Sequence, residues 1–473
     1  MDKNTFIECF GGLEDKRKDR TKLHILLDIV ALTLFAIMSG AQTFEEIEDF
    51  GELHVIWLKR YLSLPNGIPS HDTIRRVLGF LDHQQLIKGF ISWITNIKGL
   101  VKENVVPIDG KTMKGSHAKG KGIKALHVLS AYSCANGLSL GQLNVDGKTN
   151  EITAIPELLK QLAIEGAIVT IDAMGCQKAI AEAIIEQKAD YLLAVKENQK
   201  ELHEGIIDVF ALATNAKFQI KMPIQKYEDT IDSSHGKIEQ RCTSVLPVNA
   251  ISHITDDNTW KGIKSIVMIK RTAEDTSKNM CNIKTFSKTE FEQRKVIEKI
   301  DDTVFCDKGA NNFYWYKNNE IISLNFKETI TNSIVLEFQR NLTKKNSVRY
   351  DKLITLFTNY THKNDITSDV RYFITSLPHV DAEKIASAAR QHWSIENKLH
   401  WTLDVTFKED DCRIRDETAA LNFAWIRKMA LSFLKPTLPF RKKVNSIKRK
   451  MMRNWAKPEN IINYINVPSA EGI

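Results

Sequence analysis

Along the first hundred residues, apolar side chains recur at helical spacing and predict a set of packed helices. The most apolar window, ILLDIVALTLFAIM at 25–38, contains Asp28 and falls short of the roughly 20 apolar residues that a bilayer span needs. It reads as a buried helix. In TFEEIEDF, Thr43 stands three residues before Glu46, a capping-box pattern that opens an amphipathic stretch reaching Tyr61. LPNGIPSHD is a loop by its Pro, Asn and Gly content. Ser70 then starts TIRRVLGFL, with Arg75 and Arg76 on its exposed side.

From residue 105 the period changes to that of strands. VVPID is the first, and ALHVLSAYSC and LSLGQLNV flank Asn136–Gly137, a strong hairpin signal. Residues 152–164 predict a helix, 167–174 a strand, 176–189 a helix and 190–198 a strand. The order β-β-β-α-β-α-β is an α/β pattern, a hairpin-bearing sheet followed by right-handed crossovers. It is the order of elements in ribonuclease-H-like domains. KSIVMIKRT at 264–272 and VRYFITSL at 370–377 also read as strands. The ninety or so residues between them are too many for a plain loop and read as a β-rich insertion. A long helix is expected over 381–404 and another near 417–434. The chain thus divides into a helical segment 1–100, a core in two parts at 101–272 and 368–434, the insertion at 273–367 and a basic segment at 435–473.

Composition narrows the class. With 473 residues, 43% hydrophobic and 26% charged, the chain is globular and long enough for more than one domain. Seven scattered cysteines without a C-x-x-C pair argue against a zinc ribbon or a disulfide framework and for a reducing compartment. The opening MDKNTFIECF carries no signal-peptide pattern, so a cytoplasmic protein with no membrane partner is expected. The formal net charge of +8 favours polyanionic partners. The excess is uneven, with nine Lys/Arg and no acid in 435–457, including Lys448, Arg449 and Lys450. In this light the helices around Arg75 and Arg76 suit a helix-turn-helix-like reader of DNA or, equally, a bundle that packs on the next domain.

Two acids stand at matching places in the topology. Asp109 ends the first strand, and Asp172, in VTIDAMG, ends the strand after the first crossover helix. The crossover returns that strand alongside the first, so the two carboxylates would lie close together. Like charges that close usually persist because a cation bridges them. Oxygen ligands favour Mg²⁺ or Mn²⁺ over zinc. On the helix at 381–404, His392, Glu396, His400 and Asp404 recur every four residues as one polar stripe beside Trp393 and Trp401. Glu396 is the best candidate for a third carboxylate, with Asp404, Glu409, Asp410 and Asp411 as alternatives.

IDGKTMKGS, TIDAMGCQ, ADYLLAVKENQ, SHGKIEQR, HWSIENKLHWTLDVTFKEDDCRIR and LPNGIPSHDTIRRVL together resemble bacterial insertion-sequence transposases of the DDE type, in the branch that includes the H-repeat-associated proteins. The resemblance covers most of residues 5–270 and 368–465. It implies a ribonuclease-H-like catalytic domain in which Asp109, Asp172 and Glu396 hold two divalent metals, Mg²⁺ or Mn²⁺. These would activate water, and then a 3′-hydroxyl, against phosphodiesters at transposon ends and in target DNA. It also implies double-stranded DNA as partner, a homodimer when assembled on DNA, and association with the bacterial nucleoid. Lys111, Lys114, Lys148, Lys196, Lys237 and Arg241 are candidate phosphate contacts beside Arg75, Arg76 and the basic tail, and His235 is expected near the site. The sequence departs from the family around 273–367, where comparable members run more directly between the flanking strands.

Two rival readings remain. One is a catalytically inactive or domesticated DNA-binding protein derived from a transposase. The other is a zinc hydrolase built on His392, Glu396 and His400, which share one helical face. The second leaves Asp109 and Asp172 unexplained.

Overall fold

The computed structural model describes residues 3–98, 104–118, 120, 122–145, 151–214, 223–233, 237–252, 259–275, 282–286, 298–299, 304–306, 312–317, 320–325, 366–435 and 446–465. Six helices come first: α1 Lys3–Phe10, α2 Leu26–Met38, α3 Phe44–Leu53, α4 Val55–Leu58, α5 His71–Phe80 and α6 His83–Lys98. The caps read from the sequence are present. Thr43 Oγ1 accepts from the Glu46 amide at 3.2 Å, and Glu46 reaches back to the Gln42 amide at 2.6 Å. Ser70 caps α5 through the Thr73 amide. The amphipathic stretch after Thr43 breaks at His54 into α3 and α4 instead of running unbroken to Tyr61. Asp28, the one acid of the buried helix, accepts from the backbone amides of Ser63 (3.2 Å) and Leu64 (2.8 Å). It thereby holds a chain segment in which Leu64 has a φ of 41°.

The strands that follow are β1 Val105–Met113, β2 Leu126–Ser133 and β3 Leu138–Val145, then α7 Glu151–Leu159, β4 Ile168–Ile171, α8 Lys178–Glu186, β5 Asp190–Val195 and α9 Lys200–Thr214. The β-β-β-α-β-α-β order matches the sequence reading. Gly137 takes the left-handed φ of 68° that the β2–β3 turn requires. Further on come β6 Gln225–Ser233, β7 Lys237–Pro247, β8 Ser265–Asp275, and β9 Asn282–Phe286. The short strands β10 Glu298–Lys299, β11 Val304–Cys306, β12 Asn312–Lys317 and β13 Glu320–Asn325 precede β14 Ile366–Thr375. Nine strands make one mixed sheet, ordered β3-β2-β1-β4-β5-β14-β8-β7-β6. In it β1, β4 and β5 are parallel neighbours and β14 is antiparallel to β5.

The chain closes with α10 Ala382–His392, a π-helical segment Ile395–His400, α11 Trp401–Val405, α12 Glu417–Leu434, α13 Ile447–Ala456 and α14 Glu459–Ile465. The single long helix expected over 381–404 is therefore three pieces around a π turn. α12 falls where the sequence placed it and is buried along almost its whole length.

Two compact units partition the chain. The first comprises Met1–Gln225, Val245–Val267 and Tyr372–Ile473. Within it the N-terminal helices and the sheet share a core organised by α12. From α12, Phe423 packs edge-on against Phe44 and Trp425 against Phe90, at 5.3 and 5.7 Å between centroids. Asn422 donates to the carbonyls of Leu78 and Leu81. Lys428 reaches the sheet, donating to Ser130 Oγ of β2 and Gln142 Oε1 of β3. The second unit, Lys226–Ser244 and Met268–Arg371, contains a five-stranded sheet ordered β10-β11-β12-β13-β9. In this unit Glu239 pairs with both Arg241 and Arg271.

Gly110 in the IDGK motif has a packing reason. His127 on β2 bonds Glu151 of α7 at 2.5 Å directly over β1, and Thr112 meets the other ring nitrogen at 2.8 Å. A Cβ on Gly110 would overlap Glu151 Oε1 and stand 2.7 Å from His127 Nε2. Gly110→Ala should therefore cost about 1–3 kcal/mol, read as a lower urea midpoint with unchanged m-value. An unchanged midpoint would show that this buried pair yields freely.

Candidate active site

The register of β1 against β4 pairs Ile108 with Ile171, so Asp109 and Asp172, each the next residue, stand side by side where that pairing stops; β1 does not end at Asp109 as the sequence suggested but runs on to Met113, paired with β2. Asp172 leaves β4 as the cap of a short 3₁₀ turn, Ala173–Gly175, and accepts from the amides of Met174 and Gly175 at 3.2 and 3.4 Å. Asp109 stays in the strand with its side chain 26% exposed.

The helical segment from α10 to α11 runs over this strand pair. His392 Nδ1 meets Thr170 Oγ1 of β4 at 3.0 Å, and His400 Nδ1 lies 3.4 Å from Asp109 Oδ2. Glu396 sits four residues from each, in the π turn, and is exposed; its carbonyl accepts the Trp401 amide. Burial alone would raise the Asp109 pKa. His400 and, at longer range, His392 outweigh it and hold the carboxyl below the usual aspartate value. Asp109 is thus an anion, suited to hold a cation and unsuited to donate a proton at neutral pH.

This donor set fits a hard divalent ion in kind, because it offers carboxylate oxygens and one of them is kept charged inside the fold. Among the described residues, no three His, Cys, Asp or Glu side chains converge closely enough to hold an ion as they stand. The three carboxylates therefore do not close on one point. The same finding bears on the zinc alternative, whose His392, Glu396 and His400 are among the side chains that do not converge.

Two residues beyond Asp109 lies a buried charge cluster that sequence reasoning missed. Lys111 Nζ bonds Glu409 Oε2 at 2.6 Å and Asp404 Oδ1 more closely still, with Asp410 at 4.0 Å. The Lys111 side chain is 12% exposed and that of Glu409 is 3% exposed. Desolvation opposes the charge on both, yet each is held in its charged form by the other, Lys111 shifted up and Glu409 down. Asp404 shifts upward because its own desolvation outweighs its bond to Lys111. Lys428 stands behind them, and burial lowers it to about 8 despite Glu409. Lys111 is therefore a cross-link between β1 and the segment after the π turn, with protein partners where a phosphate was expected. Asp404 and Glu409, alternatives for the third carboxylate, are committed to it. The only signal in the sequence was the acidic run EDD after an apolar helix, and nothing in it named Lys111 as partner. Gly115 seats the same contact, since a Cβ there would overlap the Asp410 carbonyl and lie 2.7 Å from that of Cys412.

The other expected phosphate contacts are scattered. Lys114 is 81% exposed and pairs with Asp410 at 3.0 Å. Lys196 is exposed. Arg75 and Arg76 are exposed and both reach Asp72, through its carboxylate and its carbonyl respectively. Lys448 and Arg449 are exposed on α13, while Lys450 turns inward to the Leu434 carbonyl at 2.6 Å, 5.4 Å from the Tyr464 ring. Arg241 is paired with Glu239 in the second unit. Lys148, His235 and the Lys237 side chain lie outside the described residues.

Family models match most of the chain. The model described as "Transposase DDE domain" matches residues 101–433, and that described as "DDE_Tnp_1-associated" matches residues 7–94. The chain belongs to the DDE transposase family. It is 34% identical over 463 residues to "H repeat-associated putative transposase YhhI" of Escherichia coli strain K12, covering 98% of this chain and 97% of that one. Identity to "Putative transposase YncI" of Escherichia coli O157:H7 is 32%, covering 98% and 95%. A short relative, "Inactive transposase YbfQ" of strain K12, is 45% identical over 78 residues, covering 16% of this chain and 93% of its own. Among the described residues no helix is long and apolar enough to cross a membrane.

Three substitutions test the charge cluster. Lys111→Met leaves the buried Glu409 and the partly exposed Asp404 without their cation and should cost about 3–5 kcal/mol in urea unfolding. Lys114→Ala, at the solvated end, should stay within about 0.5 kcal/mol. For Lys428 the folded value of about 8 lies below the free value of 10.5. The unfolded chain then binds more protons between those pH values, so this lysine makes stability rise with pH across the window. Lys428→Met should remove that part of the slope, and an unaltered slope would contradict its buried position.

Proposed function

We propose that this protein is a DNA transposase that cuts phosphodiesters at the ends of a mobile element and joins the freed 3′ ends to target DNA. In this reading the sheet is ribonuclease-H-like, and Asp109, Asp172 and Glu396 are its catalytic carboxylates. The observation that carries it is the β1–β4 register, which sets two carboxylates side by side beneath the helical segment bearing the third.

Each residue has a distinct part. Asp109, kept anionic by His400 although largely buried, offers a fixed oxygen ligand. Asp172, tethered by two backbone amides, holds its second oxygen toward the same side. Glu396 completes the set by turning inward from the π turn, an irregularity of the kind found at functional sites. When bound, two Mg²⁺ or Mn²⁺ ions supply the polarisation that makes water, and then a 3′-hydroxyl, a nucleophile for in-line displacement. His400 acts through Asp109 by fixing its carboxylate, and the Lys111 cluster keeps the strand and helix at their spacing. Double-stranded DNA is the partner, engaged by a homodimer in the bacterial cytoplasm at the nucleoid.

A second reading, a transposase-derived binder without catalysis, draws on the incomplete convergence of the three acids and on the name of one short relative. One assay separates the two. The protein is incubated with duplex DNA carrying the genomic repeats that flank its gene, with Mg²⁺, and nicks are mapped to the nucleotide. The transposase reading expects nicks at the repeat ends that vanish in Asp109→Ala while duplex binding persists. Duplex binding without any nicks from the unaltered protein would establish the second reading. His400→Asn should lower nicking about 10–100-fold, as loss of a ligand-orienting partner does, without weakening duplex binding.

A further inference from the structure

A cleft of about 870 Å³ opens among α3, α5 and the segment 408–416, all within the first compact unit. Arg75, Arg76, Lys408, Arg413, Arg415 and Arg427 line it, against three carboxylates. One of these, Asp416, uses an oxygen to cap α12 at the Ala419 amide, 2.7 Å away.

The floor is unusual. Arg427 is 1% exposed and stacks 4.4 Å over the Phe423 ring. Its Nη2 donates to the Gln42 carbonyl only at 3.5 Å, and its Nη1 has no hydrogen-bond partner. A buried guanidinium normally bonds a carboxylate, because its desolvation is otherwise uncompensated. Glu409 acts on Arg427 through space, but that carboxylate is bonded to Lys111. The positive field is therefore left to the cleft. At the mouth Arg413, Arg75 and Arg76 are exposed and able to reach a bound anion directly.

We propose that this cleft, lying outside the carboxylate site, binds backbone phosphodiesters of duplex DNA. The inference rests on the transposase reading for the identity of the anion. The volume and the spread of cations over two walls favour successive backbone phosphates over one free phosphate ion. Lys408–Asp416 borders the cleft and also carries Glu409, the acid bonded to Lys111 two residues from Asp109. DNA seated there would be continuous with the catalytic end of the sheet.

The test is a salt titration of binding to a fluorescent duplex, read by anisotropy, for the full chain, Arg413→Ala and Arg76→Ala. Both substitutions are at exposed positions and leave the carboxylate site intact. Each variant should bind several-fold more weakly, with a log–log salt slope shallower by about 0.9 for every phosphate that the variant no longer neutralises. A tenfold excess of inorganic phosphate over the protein, at constant ionic strength, should leave duplex binding unchanged. Displacement by that phosphate, or unaltered slopes in both variants while the unaltered protein binds duplex, would overturn the cleft alone. Failure of the unaltered protein to bind duplex at any salt would overturn both the cleft and the transposase reading.

Discussion

The site depends on one buried interaction, the cation of Lys111 held between Glu409 and Asp404. It ties the strand that carries Asp109 to the chain just beyond the helical segment that carries Glu396. Ion pairs of this kind add little net stability, because desolvation consumes most of the Coulomb gain, but they penalise other arrangements severely. Here that penalty protects a spacing. A shift of the helix along β1 would leave Lys111, Glu409 or both unpaired in a medium where neither is tolerated. Lys428 extends the same constraint from α12 to the neighbouring strands through Ser130 and Gln142.

Around this cross-link the fold places two kinds of charge. Asp109, partly open within β1, is kept ionised by imidazoles, and Asp172, just past the end of β4, is exposed. The cations of the cleft are on α5, on segment 408–416 and on α12, with Arg427 at the floor lacking an ionic hydrogen bond. An acidic centre beside a basic groove is the arrangement that the proposed function calls for, with cations to hold a polyanion next to carboxylates that could hold metal ions. The two poles share α12, whose Asn422 and Phe423 face the N-terminal helices while Lys428 faces the sheet.

Glu396 is exposed on the π turn. Carboxylates without a cation repel one another, so an exposed position costs a glutamate less than one packed beside Asp109 would. Asp172 differs, since backbone amides tether it.

Much of this was legible in the chain. Strand and helix periods identified β1 to β5 and α12, the Asn136–Gly137 turn marked the hairpin, and the caps at Thr43 and Ser70 were local chemistry within four residues. Asp109 and Asp172 could be paired because a right-handed crossover leaves few places for the returning strand. The rest required the tertiary structure. A π turn inside 381–404 depends on backbone bonds that no residue type dictates. The choice of Lys111 for Glu409, 298 residues away, depends on which charges burial throws together. The same holds for Arg427, which in sequence is one arginine of a helix and in the fold is a buried cation beneath a cleft. Local propensity acts over a few residues, whereas the energy of a buried charge is set by its whole surroundings.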